Sequence, residues 1–262
     1  MKEKLLSQLV IHADETVVQV LHEPGRKAKT DSRMWVYCTD SSADRYLALF
    51  EYSPTRNGDN AAKFLGDYSG YLVCDGYDGY NKLEKVIRCG CWAHARRKFV
   101  EALPTDKELV STSMAAKGVN LINELYEIER SFDGFTPEEK HKQRQEHLKP
   151  ALDVFFAWLE TINASSGTKL SKAVSYALNE KKYLYRFLGS PYISIDNNRA
   201  ENAIRPFVVG RKNWLFSNTQ NGARASALIY SLAVTACANG LNVEDYFFRL
   251  LTSDVSVMPW NG

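Results

Sequence analysis

The sequence predicts a mixed α/β fold, in which a mixed sheet is covered by helices and interrupted by an all-helical segment. Three observations support this. β-prone runs fall within residues 9–52, with a polar turn between the last two. Strand and helix signals then alternate from residue 60 to 98. From 101 to 190 the apolar residues recur at helical spacing instead.

Taken in order, Leu9-Val10-Ile11 starts a β-prone run that ends at Asp14, and residues 17–21 continue it. M-W-V-Y-C-T (34–39) and Y-L-A-L-F-E-Y (46–52), joined by D-S-S-A-D, predict a hairpin. Residues 60–68 read as a short helix with Ala61, Phe64 and Leu65 on one face. The apolar strand Tyr71-Leu72-Val73-Cys74 stops at Asp75-Gly76. A helical turn leads to the strand Val86-Ile87-Arg88-Cys89 and then to the basic helix W-A-H-A-R-R-K-F from Trp92. Three antiparallel strands followed by alternating α and β elements imply a mixed sheet.

In the middle segment Leu121, Ile122, Leu125 and Ile128 share one helical stripe, as do Leu148, Leu152, Phe155, Phe156 and Leu159. Thr136 with Pro137 behind it marks a helix start between them. A helix resumes from Gly222 toward Gly240, and residues 243–251 form a last amphipathic one. The expected organisation is 1–100 as the first part of a core, 101–190 as a helical insertion, and 191–262 as the closing helices of the core.

Composition narrows the function classes. With 262 residues and a formal net charge of +2, any affinity for nucleic acid must come from local clustering. Five cysteines, an odd and sparse set, suggest a reducing cytoplasm. No stretch approaches the roughly 20 apolar residues of a membrane span. The opening M-K-E-K-L-L-S-Q-L-V lacks the apolar run and cleavage site of a signal peptide, so an intracellular protein of bacterial type is expected.

Asp is depleted in strands because its side chain competes for backbone hydrogen bonds, yet Asp14 and Asp75 both close apolar runs. Sites in open α/β sheets form at strand ends. If the first and fourth strands are neighbours, the two carboxylates lie close, and they repel unless a cation or proton neutralises them. Hard oxygen ligands favour Mg²⁺ or Mn²⁺. Each aspartate alone is better explained as a cap or turn residue. A third acid shifts the balance. Glu201 lies in I-D-N-N-R-A-E-N-A-I-R (195–205), a predicted helix capped by Asp196. Asn198 and Arg205, three residues before and four after, share its face. Pro206 follows at once, where a helix continues only if something nearby fixes the backbone.

Basic groups follow two of these acids. His94, Arg96, Arg97 and Lys98 come after Asp75, and Arg205, Arg211, Lys212 and Arg224 after Glu201. Residues 191–224 hold five Lys or Arg (199, 205, 211, 212, 224) against two acids (196, 201). Such groups would position a phosphate backbone without reading sequence. Trp214 among them reads either as core or as a platform for an unpaired base. Cys89-x-Cys91-x-x-His94 offers three zinc ligands where a structural site needs four, and buried core cysteines explain the pattern better.

The run D-N-N-R-A-E-N-A-I-R-P-F-V-V-G-R-K-N-W-L-F-S from Asp196 resembles the C-terminal signature of the IS66 family of bacterial insertion-sequence transposases. H-A-D-E-T from His12 resembles its first acidic motif, V-C-D-G-Y-D-G-Y-N around Asp75 its second, and G-C-W-A-H-A-R-R-K-F from Gly90 the stretch that follows. The resemblance covers nearly the whole chain in order. It implies a DDE catalytic core of RNase H-like fold with a helical insertion before the final Glu, in which Asp14, Asp75 and Glu201 are the catalytic, metal-binding triad for two Mg²⁺ (or Mn²⁺) ions. Asp78 falls inside the turn after the strand and is passed over. Implied partners are transposon-end and target DNA, contacted by His94, Arg96, Arg97, Lys98, Asn198, Arg205, Arg211, Lys212 and Trp214. The protein would form a multimer on paired ends, with no membrane and no small-molecule substrate, in a cytoplasmic, nucleoid-associated setting. Family members carry an N-terminal region with DNA-recognition elements, whereas here Met1 lies just ahead of the first strand, so a fragment or shortened copy is expected. A catalytically silent DNA-binding remnant and an RNase H-like nuclease or resolvase are the alternatives.

Overall fold

A thirteen-residue strand, β1 (Val10–His22), organises the sheet in the computed structural model, which describes residues 1–253 and 257–260. The β-branched residues Val17, Val18 and Val20 carry the strand well past Asp14, so the runs before and after it form one strand. β2 (Asp31–Thr39) pairs with it antiparallel in one unbroken register that sets Asp14 opposite Val36. Asp14 is therefore mid-strand, a correction to its reading as a strand-end acid. β3 (Ala48–Ser53) completes the expected hairpin, with Val36 opposite Phe50.

Along the chain, α1 (Lys2–Leu6) precedes β1, and α2 (Gly58–Leu65) links β3 to β4 (Tyr71–Val73). A 3₁₀ turn, Asp78–Lys82, leads to β5 (Ile87–Cys89). Six helices follow: α3 (Trp92–Glu101), α4 (Lys107–Val110), α5 (Met114–Arg130), α6 (Pro137–Gln143), α7 (Lys149–Glu160) and α8 (Lys169–Leu184). The long helix α9 (Asn198–Trp214), β6 (Ser217–Thr219), α10 (Gln220–Ala238) and α11 (Val243–Thr252) close the chain. Sheet order is β3-β2-β1-β4-β5, and β6 pairs parallel to β1. The first and fourth strands are thus neighbours, joined where Tyr71 N–H donates to the Leu9 carbonyl at 2.9 Å.

The chain forms two compact units, one of Met1–Leu72, Tyr77–Ile87 and Asn198–Gly262, the other of Val73–Gly76 and Arg88–Asn197. In the first, strand alternation sends Val18, Val20, Met34, Val36, Ala48 and Phe50 to one face of the sheet, against Ala200, Ala203, Ile204 and Phe207 of α9 and Ala223 and Ala227 of α10. The opposite face carries Trp35 and Tyr37, and Tyr37 stacks on Phe64 of α2 at 3.9 Å.

The outer edge of β3 is occupied by side chains of α10. Phe50 N–H donates to Ser231 Oγ at 2.8 Å and Ala48 N–H to Thr235 Oγ1 at 3.0 Å. Thr235 donates back to the Ala48 carbonyl, and the Asn239 amide both accepts from and donates to the backbone of Tyr46. Residues four apart on a helix advance about 6.0 Å and residues two apart on a strand about 6.6 Å, so the two ladders stay in step.

The second unit is built around aromatic contacts between α3 and α7. Trp92 meets Phe155 edge-on at 5.3 Å, and Phe99 meets the same ring at 6.1 Å. Trp92 Nε1–H donates to the Leu184 carbonyl at 3.0 Å. Thr136 caps α6 in a full capping box with Glu139, as its sequence context predicts. Arg144, fully buried in a π-helical turn, pairs with Glu129 and donates to the carbonyls of Phe187, Ser190 and Ile193. Among the described residues no helix is long and apolar enough to cross a membrane.

Candidate active site

Two of the three acids belong to the first unit. Asp14 is half-buried on the face of β1 that also carries Val18 and Val20, the face covered by α9. Its Oδ1 accepts the Glu15 backbone N–H at 2.8 Å. Glu201 is half-buried in the first turn of α9, next to the core residue Ala200. Arg199 pins this end of the helix by donating from Nε to the Thr39 carbonyl at 2.9 Å. Further along, Arg211 donates to Thr16 Oγ1 at 3.1 Å and to the Val17 carbonyl, so its charge serves to hold α9 on β1.

α9 runs through Pro206 without stopping. Proline removes the hydrogen bond to the carbonyl of residue 202, and both Asn202 and Pro206 are exposed, where water can take that carbonyl. Asn198 and Arg205 share the exposed side with them. α9 begins at Asn198, and two residues ahead of it Asp196 accepts the Tyr126 hydroxyl at 3.0 Å. Asn197 is fully buried, and its N–H donates to Cys91 Sγ at 3.2 Å.

Asp75 belongs to the second unit, in the half-buried turn just after β4. Its carbonyl accepts a 2.9 Å hydrogen bond from the guanidinium of Arg88, which is ion-paired to Glu180 on α8. Asp78, by contrast, is exposed at the start of the 3₁₀ turn.

The basic residues differ in how far they are committed. Arg96 Nε donates to Asn123 Oδ1 of α5 at 2.7 Å, Arg97 approaches His94 Nε2 at 3.4 Å, and Lys98 lies 3.9 Å from Glu101. Arg205 and Lys212 are exposed. Trp214 is half-buried with its ring edge-on to Phe207 at 5.2 Å. Cys89 is fully buried, which pushes its thiol up to about 12 and disfavours the thiolate a zinc site needs. Cys91 and His94 bring ligand atoms within 4.8 Å of one another.

The partners of neighbouring acids escaped the sequence reading. Glu15 faces the other side of the sheet, where Arg56 pairs with it at 2.5 Å and the Tyr80 hydroxyl donates to it at 3.0 Å. His12, fully buried, lies 2.8 Å from Asp40. A buried Arg, His or Glu in an apolar run is the only local sign of such pairs.

A profile of the family described as Transposase IS66 family matches residues 1–225. The chain is 31% identical over 277 residues to "Uncharacterized protein y4qI" of Sinorhizobium fredii (strain NBRC 101917 / NGR234), covering 96% of this chain and 50% of that one. It is 28% identical to "Uncharacterized protein y4hP" of the same organism, covering 95% of this chain and 50% of that one. The chain thus spans about half the length of the curated relatives it matches. No solved structure matches it.

Proposed function

The chain belongs to the IS66 family of transposases, and from that premise we propose that it is the catalytic domain of a DDE-type transposase with an RNase H-like core. In this reading Asp14, Asp75 and Glu201 are the acids that hold two divalent ions, and residues 101–190 are a helical insertion ahead of the last acid. The observation that supports it is that Asp14 lies on the sheet face covered by α9, the helix whose first turn carries Glu201. Three half-buried carboxylates are a hard, anionic donor set, which suits Mg²⁺ or Mn²⁺ and not softer metals. When bound, such ions supply an activated water and neutralise charge on the phosphodiester.

The chain's own residues then have separable tasks. The three carboxylates hold and orient, and no protein nucleophile is needed, because positioning and charge stabilisation supply the rate in phosphoryl transfer. Arg205 and Lys212, with the α3 group His94, Arg96, Arg97 and Lys98, would contact phosphates of transposon-end and target DNA. Asn198, Arg211 and Trp214 would flank that path. The protein would act as a multimer on paired ends in the bacterial cytoplasm.

Asp75→Asn and Glu201→Gln each test this reading. Both are expected to abolish Mg²⁺-dependent nicking of transposon-end DNA while the thermal melting curve is kept. Nicking that survives either change would refute the triad. DNA binding without any Mn²⁺ binding in the unchanged chain would instead mark a catalytically silent remnant.

A further inference from the structure

Within the second unit, the turn that bears Asp75 is held chiefly by a helix of the 101–190 segment. The sheet holds the start of this turn at Cys74, whose N–H donates to the Cys89 carbonyl at 3.1 Å. α8 meets the next residues of the turn, directly at Gly76 and through Arg88 at Asp75. The Arg88 guanidinium, 3% exposed, reaches the Asp75 carbonyl at 2.9 Å, a charge-assisted bond that fixes the orientation of that peptide plane. Arg88 is itself held from several sides. Glu180 pairs with it, the Tyr183 ring lies 4.0 Å beneath its guanidinium, and Arg186 donates to its carbonyl at 2.8 Å. Gly90 N–H also donates to the Tyr183 carbonyl at 2.9 Å.

Gly76 supplies an independent observation. A Cβ built on it would stand 2.6 Å from Cε2 and 3.0 Å from the hydroxyl of Tyr176, closer than carbon atoms approach. Its backbone is not in the left-handed region, so an added methyl here would displace the end of the Tyr176 side chain and would not strain the backbone conformation. Tyr176, Glu180 and Tyr183 are spaced i, i+4 and i+7 on α8, so a single stripe of one helix meets both Gly76 and the Arg88 side chain that reaches Asp75. Apolar side chains would hold α8 in place as well as a buried ion pair does, and at less desolvation cost. What the ion pair adds is a directed bond to one carbonyl.

We infer that α8 is the device that sets the Asp75 carboxylate. Arg88 and Glu180 are positioning residues for Asp75, and Tyr176 is the wall that a side chain at position 76 would push against. The inference rests on the three-acid reading above and deepens it, because it gives the helical segment a task in the same site. Residues that orient a ligand are felt in metal affinity, and their loss costs about 10–100-fold.

The experiment is Mn²⁺ titration calorimetry on the full 262-residue chain, with urea melting of every variant as a fold control. Asp75→Asn is expected to lose the Mn²⁺ site. Glu180→Gln, which keeps shape and removes charge, is expected to weaken Mn²⁺ binding about tenfold, as is Gly76→Ala. Because Glu180→Gln strands a buried guanidinium, the Gly76 variant gives a second route to the answer. Adding Tyr176→Ala to Gly76→Ala makes room for the new methyl, and Mn²⁺ affinity is expected to return toward that of the unchanged chain. If Asp75→Asn binds Mn²⁺ like the unchanged chain, the three-acid reading falls and takes this inference with it. If Asp75→Asn loses the ion while Glu180→Gln or Gly76→Ala remains folded and titrates normally, the reading stands and the positioning role of α8 is overturned.

Discussion

Asp14 and Glu15 are adjacent in sequence and have opposite fates. Strand alternation turns Asp14 to the face that α9 covers and Glu15 to the other, where Arg56 and Tyr80 take it up. The motif H-A-D-E-T made both acids visible, but the partner of Glu15 lies 41 residues away and leaves no local trace. Glu51 shares Glu15's face, since both pair with Trp35, and burial raises its carboxyl pKa from the ordinary value, with Lys2 and Lys63 opposing that shift only in part. An acid whose folded pKa is raised is bound to its proton more tightly in the folded state, so it costs stability as the pH climbs through and above that pKa. Glu51→Gln is therefore expected to melt at a higher temperature than the unchanged chain at pH 7, with the difference closing as the pH falls below the ordinary carboxylate range. A difference that is absent or reversed at neutral pH would contradict the buried assignment.

At the scale of elements, the legible parts were those with local chemistry. Thr136 and Glu139 announce a helix start because each satisfies the other's backbone donor, and the helix begins there. The hairpin of β2 and β3 was equally plain from its β-branched and aromatic runs. Boundaries set by tertiary contact were not legible. β1 runs unbroken through Asp14 because β2 pairs with residues 11–19 and β6 with Val20 and His22, partners that one strand's pattern cannot reveal. α9 crosses Pro206 because the orphaned carbonyl faces water and because Arg199 and Arg211 tie the helix at two points. Proline in a helix interior costs about 3 kcal/mol relative to alanine, part of it offset here by solvation. Pro206→Ala is expected to raise the urea midpoint by the equivalent of about 1–3 kcal/mol without changing the slope. A fall in the midpoint would mean that the proline-bent helix is what packs best.

Across the whole molecule, the middle of the sequence announced itself as helical, yet its tie to the Asp75 turn did not. Arg88 and Glu180 are 92 residues apart, and nothing in either neighbourhood names the other. The same holds for the seam between α10 and β3. Ser231, Thr235 and Asn239 recur every four residues, a spacing visible in the sequence, but their meaning needs the strand whose amides they meet. That seam closes one edge of the sheet to a further strand. An unguarded outermost strand invites a neighbour to extend the sheet, and here the invitation is withdrawn by hydroxyl and amide groups that imitate a seventh strand. Ser231→Ala with Thr235→Val would reopen it, leaving two amides to find new acceptors at about 1–3 kcal/mol each. Such a variant is expected to sediment as larger species at concentrations where the parent does not. A copy of this protein that met another would then find no open strand along β3, so a contact on that side could form and part without unzipping a continuous β-structure.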